Sequence, residues 1–250
     1  MRKTLLVIGS LVVIIGITLT FSFRYMVRRA SEEPPPAKTG PVTDIILKKI
    51  ENFLDYSKWD QTDSIEFQLS ESVIEHFRDL KRDLVEVKYP EEHLVVQYFE
   101  KSGVYLVQKD DRVMPGETAK QLYIRARKDH DEAYFWLNPF QFLKDGSKKR
   151  YVGNRSLLID LPSSENEEKK LLIVLNRQDE PDYMKLWVPE IPLKGMRVNF
   201  ATWITTDTGV RLCNVYKTFI REVSFKKTKT FFVRPESKAD ERFKALLEMR

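Results

Sequence analysis

The sequence predicts an α+β fold that is mainly β. One N-terminal transmembrane helix and a proline-rich linker precede an antiparallel β-rich body, a sandwich or curved sheet. Short helices are expected at the N-terminal side of that body and one helix at its C-terminus. Three observations carry this reading. Residues 4–23 form an uncharged apolar run, and Pro34 to Pro36 follow it closely. Beyond residue 84, short stretches of period-two hydrophobicity alternate with Pro/Gly/Asp/Asn/Ser turns, the mark of a sheet built from hairpins.

The apolar run contains Leu5, Leu6, Val7, Ile8, Leu11, Val12, Val13, Ile14, Ile15, Ile17 and Leu19. About 20 residues at 1.5 Å each span roughly 30 Å, the thickness of a bilayer's hydrocarbon core. Arg2 and Lys3 flank one end. Arg24, Arg28 and Arg29 flank the other, with Tyr25 where an interfacial aromatic would sit. A cleaved secretory signal is the competing reading. Its apolar region is usually about 7–15 residues long and ends in a small-x-small site. This run is longer and closes on Thr20-Phe21-Ser22-Phe23-Arg24, and no Cys adjoins it as a lipoprotein signal requires. An uncleaved anchor over residues 1–29 is therefore expected. The flanking charges nearly balance and, counted literally, favour a cytoplasmic body; the very short basic N-terminus before an apolar run argues the reverse and is preferred, with the N-terminus cytoplasmic and the body outside the cytoplasm.

Composition narrows the function. The chain of 250 residues has a formal net charge of +5. Residues 1–30 hold five basic residues and no acid, so the remainder carries 37 of each sign. A formally neutral body lacks the net positive field that nucleic-acid binding requires. A local basic cluster remains at Lys217, Arg221, Lys226, Lys227, Lys229 and Arg234. It reads as a solvated strand face or as a site for an acidic partner or lipid headgroups, with Arg221, Lys226, Lys227 and Lys229 the residues of interest. Nine glycines leave no phosphate-cradling loop in the body. The single cysteine, Cys213, lies among apolar residues and reads as a buried thiol.

In chain order, residues 30–41 form the linker, whose prolines favour an extended, stiff spacer. The body is taken as residues 42–250, with a possible subdomain boundary at the polar stretch 144–151. Val42, Ile46, Ile50, Phe53 and Leu54 share a helix face. Ile65, Phe67 and Leu69 alternate with polar residues as a half-buried strand does. Ser72 and Glu75 have capping-box spacing, and Val73, Ile74, Phe77 and Leu80 complete a short helix, with His76 on its polar side. Residues 84–87 and 94–98 form a hairpin with His93 in the turn. Further strands are expected at 104–107, 122–126, 134–137, 156–161, 171–175, 184–188, 198–204, 210–215, 219–225 and 231–233, and a charged helix at about 235–249.

No motif names a reaction. There is no HExxH pair and no G-x-S-x-G elbow. His130 sits in a charged stretch with Asp129, Asp131 and Glu132, which reads as a solvated loop rather than a metal site. No cofactor is expected and the body reads as non-catalytic. Tyr134, Phe135, Trp136, Phe140 and Phe142 crowd one segment. Aromatic faces fill β cores, and they also wall sites for sugars or lipids. Tyr134, Phe135, Trp136 and Phe140 are thus the candidate ligand-binding residues.

The layout of basic N-terminus, single span, proline-rich spacer and β-rich body is similar to that of bitopic bacterial envelope proteins. Among these are inner-membrane components of lipopolysaccharide export and small anchored subunits of secretion systems. Residues 65–77, IEFQLSESVIEHF, resemble the opening of some anchored lipid-groove domains. The resemblance implies a membrane-anchored subunit with other envelope proteins as partners, or a lipid- or glycan-binding β domain. It transfers no functional residue.

Overall fold

The computed structural model describes residues 29–162, 168–189, 191–232 and 236–249, without side chains for 236–240. The predicted span at residues 4–23 lies outside them. Among the described residues, no helix is long and apolar enough to cross a membrane.

Helix α1 (Pro41–Leu54) and the short α2 (Ser57–Gln61) lead into a meander of β1 (Ser64–Leu69), β2 (Glu75–Asp79), β3 (Leu84–Tyr89), β4 (Leu94–Phe99), β5 (Tyr105–Lys109) and β6 (Arg112–Val113). Helix α3 (Gly116–Leu137) and a 3-10 turn at Pro139–Leu143 connect it to a second meander. That meander comprises β7 (Lys149–Val152), β8 (Ser156–Leu161), β9 (Lys169–Leu175), β10 (Pro181–Trp187), β11 (Met196–Thr205), β12 (Arg211–Lys217) and β13 (Glu222–Phe231), and helix α4 (Glu236–Leu247) follows. β1 pairs with β13, which fuses the meanders into one 13-stranded antiparallel sheet with β6 and β7 at its edges. The body is therefore one sheet, not a sandwich.

One face of the sheet carries α1, α2 and α3. Ile46, Ile50 and Leu54 of α1 and Ala133, Tyr134, Trp136 and Leu137 of α3 bury against Phe67, Leu157, Ile173, Val198 and Tyr216. The second face is covered by both ends of the described chain. Phe243 and Leu246 of α4 pack on Phe77, Leu84, Phe99 and Leu106. Residues 31–38 run over β7–β10, where Ala37 meets Leu158, Leu172 and Trp187.

The proline-rich segment is consequently strapped to the body and is not a free spacer. Glu32 N–H donates to Lys194 O at 2.9 Å, and Trp187 Nε1–H donates to Glu32 O at 2.7 Å. Lys38 and Tyr151 exchange backbone bonds of 3.0 and 2.8 Å along the outer edge of β7. A sheet edge left bare invites pairing with another chain, and this contact blunts it. Gly195 makes the strap possible, because its φ is +73° and a Cβ there would lie 3.1 Å from Glu32 Cβ and 3.3 Å from the Trp187 ring. Gly195→Ala is expected to cost about 1–3 kcal/mol at this left-handed position. Proteolysis within residues 31–38 should accelerate in that variant, and an unchanged cleavage rate would contradict the strap.

Several sequence expectations change. Residues 72–80 are not a helix. The Ser72 hydroxyl accepts from Ile74 N–H at 3.0 Å to close a loop, and residues 75–79 become β2, paired on both sides by β1 and β3. Residues 122–126 and 134–137 are not strands but parts of α3. No Gly or Pro interrupts residues 117–137, and Ala119, Ala126 and Ala133, seven apart, give the helix a small-residue face against the sheet. Residues 219–221 are a turn, and one strand, β13, runs through 222–231. α1, β1, the β3–β4 hairpin, β8 to β12 and the C-terminal helix fall where periodicity puts them, with shifts at their ends.

Candidate functional site

Below α4, on the second sheet face, a cavity of about 120 Å³ opens among Glu66, Gln68, Glu75, Phe77, Glu86, Lys88, Lys227 and Arg242. Strand alternation places these side chains. Glu66 and Gln68 of β1, Glu75 and Phe77 of β2, and Glu86 and Lys88 of β3 lie in matching register and point to one face. A β-bulge distorts the β1–β13 pairing between Glu66 and Gln68, and in β13 Lys227 adopts φ +57°. Such a bulge re-aims a side chain, and left-handed backbone at a non-glycine residue is strained. Here it accompanies a Lys227 Nζ that lies 3.2 Å from Glu75.

The deepest charge is Glu86, only 3% exposed. Its carboxylate accepts from Gln97 Nε2 at 2.6 Å and lies 3.2 Å from Lys88 Nζ and 3.6 Å from Arg242 Nη1. Arg242 also donates to Glu66 at 2.9 Å and sits 4.1 Å above the Phe77 ring. Gln97 Nε2–H donates a second bond, at 2.7 Å, to Arg242 O, which ties α4 to β4. Each acid lining the cavity thus has a basic partner. The exception to this saturation is Gln68, 5% exposed. Its Nε2 donates to Ser72 O at 3.0 Å, and its Oε1 has no hydrogen-bond partner. In folded proteins a buried acceptor of this kind is ordinarily satisfied by a donor, a water molecule or a side chain.

A second polar cluster lies inside the helix-covered face. His76 of β2 stacks on Phe67 at 5.0 Å, and His130 of α3 lies 5.4 Å from His76 and 5.7 Å from Tyr134. His130 is fully buried, which corrects the solvated-loop reading, and His76 is 3% exposed, not on a polar helix face. Neither His130 nitrogen has a partner, nor do His76 Nδ1 and Tyr98 Oη. Burial pushes the His76 imidazole down to about 4. Burial, with His76 and Arg78 nearby, holds His130 well below the ordinary histidine range. Both rings are therefore neutral at pH 7. Among the described residues no group of three or more His, Cys, Asp or Glu is placed to hold a metal ion. Burial raises the Cys213 thiol to about 11, so it is a protonated, buried group at neutral pH.

Tyr134, Trp136 and Phe140 are closed into the main core, and Phe135 packs half-buried against Trp136 and Phe142. They form no exposed aromatic platform. Arg221, Lys226, Lys227 and Lys229 are exposed. Lys227 reaches the cavity, Lys226 Nζ lies 3.5 Å from Ser70 O, and Arg221 is in the β12–β13 turn. The anchor residues Leu5 to Leu19 lie outside the described residues. Sequence reading missed Glu66, Gln68, Glu75, Glu86, Lys88 and Arg242. The available signal was charged Glu86 between Val85 and Val87. No family model matches the chain, and no curated protein is similar to it in sequence.

Proposed function

We propose that this chain is a single-span, membrane-anchored envelope protein whose body is a non-catalytic interaction or scaffold subunit of a membrane complex. The N-terminus lies in the cytoplasm and the body outside it. The cleft beneath α4 seats a hydrogen-donating side chain of a partner protein. The carrying observation is the cleft itself, in which Gln68 Oε1 is the acceptor without a partner in a network whose charges are paired. Size supports a side chain over a metabolite. The cavity is about 120 Å³, whereas small-molecule sites usually enclose about 300–1,000 Å³.

Photo-crosslinking of the full chain in intact cells tests this. A photoreactive residue at Lys88, at the cleft, should trap one discrete membrane-protein adduct, and one at exposed Gln178, in the β9–β10 turn, should not. Gln68→Leu should reduce the adduct about tenfold, the equivalent of one lost hydrogen bond. No adduct from Lys88, with the chain purifying alone, overturns the reading.

A second reading has its own support. The unpartnered nitrogens of His130 and the Tyr98 hydroxyl lie within the helix-covered interior, beside the aromatic segment at Tyr134. A lipid or glycan held between the sheet and α3 would give them partners. Native mass spectrometry of the purified chain would reveal such a ligand as added mass, and its absence counts against this alternative.

A further inference from the structure

We infer that the end of the sheet bearing the β12–β13 turn faces the bilayer and that Phe219 and Ile220 enter its interfacial layer among anionic headgroups. This rests on the membrane-anchored reading above and adds an orientation and a second point of contact.

Phe219 is 74% exposed and Ile220 70%, the two most exposed large apolar side chains among the described residues. They sit at the tip of a hairpin, where turn residues are ordinarily Gly, Asn, Asp, Ser or Pro. The turn is held in shape. Thr218 Oγ1 accepts from Ile220 N–H at 3.1 Å and Arg221 N–H at 2.9 Å, and Thr218 N–H donates to Arg221 O at 2.9 Å. The apolar pair is thus presented without an ordering cost at the moment of contact. Exposed Lys217 and Arg221 flank it, with Glu222 3.8 Å from Lys217, and Lys226 lies farther along β13. Exposed apolar side chains beside a net positive charge, here Arg221 with the Lys217–Glu222 pair, suit an anionic membrane surface. Val73, 45% exposed, lies in the neighbouring loop, whose Ser70 N–H bonds Ser224 O at 2.8 Å.

Where the chain leaves the body selects the bilayer as occupant. Glu32 is bonded to Lys194, just before β11, and Lys217 lies opposite Asn199 near the start of that same strand. The tether point and the apolar turn therefore share one end of the sheet, one or two strand spacings apart, roughly 5–10 Å. Phe23 closes the apolar run nine residues before Glu32. Nine residues reach at most roughly 32 Å. With residues 31–38 strapped to the body, a membrane holding residues 4–23 keeps this end within that reach, while the far end, where the Asn176–Glu180 turn lies, is a further strand length away, roughly 23 Å over the seven residues of β10.

Spin labels on the full chain in nanodiscs of phosphatidylglycerol and phosphatidylethanolamine test the inference. Phe219→Cys, Gln178→Cys and Ser10→Cys are labelled singly in a Cys213→Ala background. The label at 219 should be several-fold more accessible to oxygen relative to a water-soluble nickel complex than the label at 178, and the difference should shrink in zwitterionic phosphatidylcholine discs. If 219 is as nickel-accessible as 178 while position 10 reads as lipid-embedded, the tether stands and this inference falls. If position 10 is also aqueous, the anchored reading fails and takes the inference with it. Shielding of 219 from both reagents indicates a protein contact, such as a second copy of the chain, and overturns the lipid assignment.

Discussion

Acidification from pH 7 to pH 4 is expected to remove roughly 3 kcal/mol of stability through His76 alone, at 1.36 kcal/mol per pKa unit. An unfolded histidine titrates near 6.5, whereas burial holds His76 near 4 in the fold. Between those values the unfolded chain binds the proton and the folded chain does not, so stability is complete above about pH 6.5 and declines as pH falls toward 4. His130, lowered by burial and by the nearby His76 and Arg78, acts with the same sign. Domains are stable by about 5–15 kcal/mol, so the loss is a large share of the total. Urea midpoints at pH 7 and pH 4.5 measure it. Carboxylates titrate in the lower part of this window too, so the informative comparison is with a His76→Phe/His130→Phe double variant. Its pH dependence should be distinctly flatter. Identical slopes in the two proteins would show that the buried imidazoles are not the source.

Phe243→Ala is expected to cost about 3–5 kcal/mol, the usual range for emptying a buried phenylalanine site. Phe243 is fully buried and lies 5.8 Å from Phe77 by ring centroid, with Leu246 beside it. These two residues, with half-buried Leu247, are the apolar contact of α4, and Arg242 supplies its ion pairs. The damage should therefore concentrate in the helix. Amide exchange in residues 241–247 should accelerate by more than in α3, and the second-face residues Phe77, Leu84, Phe99 and Leu106 should become available to a hydrophobic dye. The cleft depends on α4 for Arg242, so crosslinking from Lys88 should decline in parallel. A denaturation midpoint shifted by less than the equivalent of about 0.5 kcal/mol, the level of an ordinary surface change, would refute the packing role.

Elements with an undisguised period could be read directly. Ile46, Ile50 and Leu54 mark α1, and alternation about Phe67 marks β1. β2 was hidden because the positions facing α3 are His76, buried against Phe67 and His130, and half-buried Arg78, both polar by type. α3 was hidden because its sheet-facing residues include Ala119, Ala126, Ala133 and His130, so its stripe is weakly apolar and the aromatics at its end imitate a strand. The site was less legible still. Glu86 and Arg242 are 156 positions apart in sequence, and nothing local to either announces the other.

Local sequence is enough to set the antiparallel, hairpin-built character of the body, the formally neutral charge of everything beyond residue 30, and the apolar run at 4–23. Each follows from composition or from contacts between near neighbours, and hairpin register is a local matter. Long-range packing is what joins β1 to β13, lays the proline segment along the sheet and roofs a charged cleft with α4. Those outcomes depend on surfaces brought together from opposite ends of the chain, where burial and charge pairing act on distance in space and sequence separation carries no trace of them.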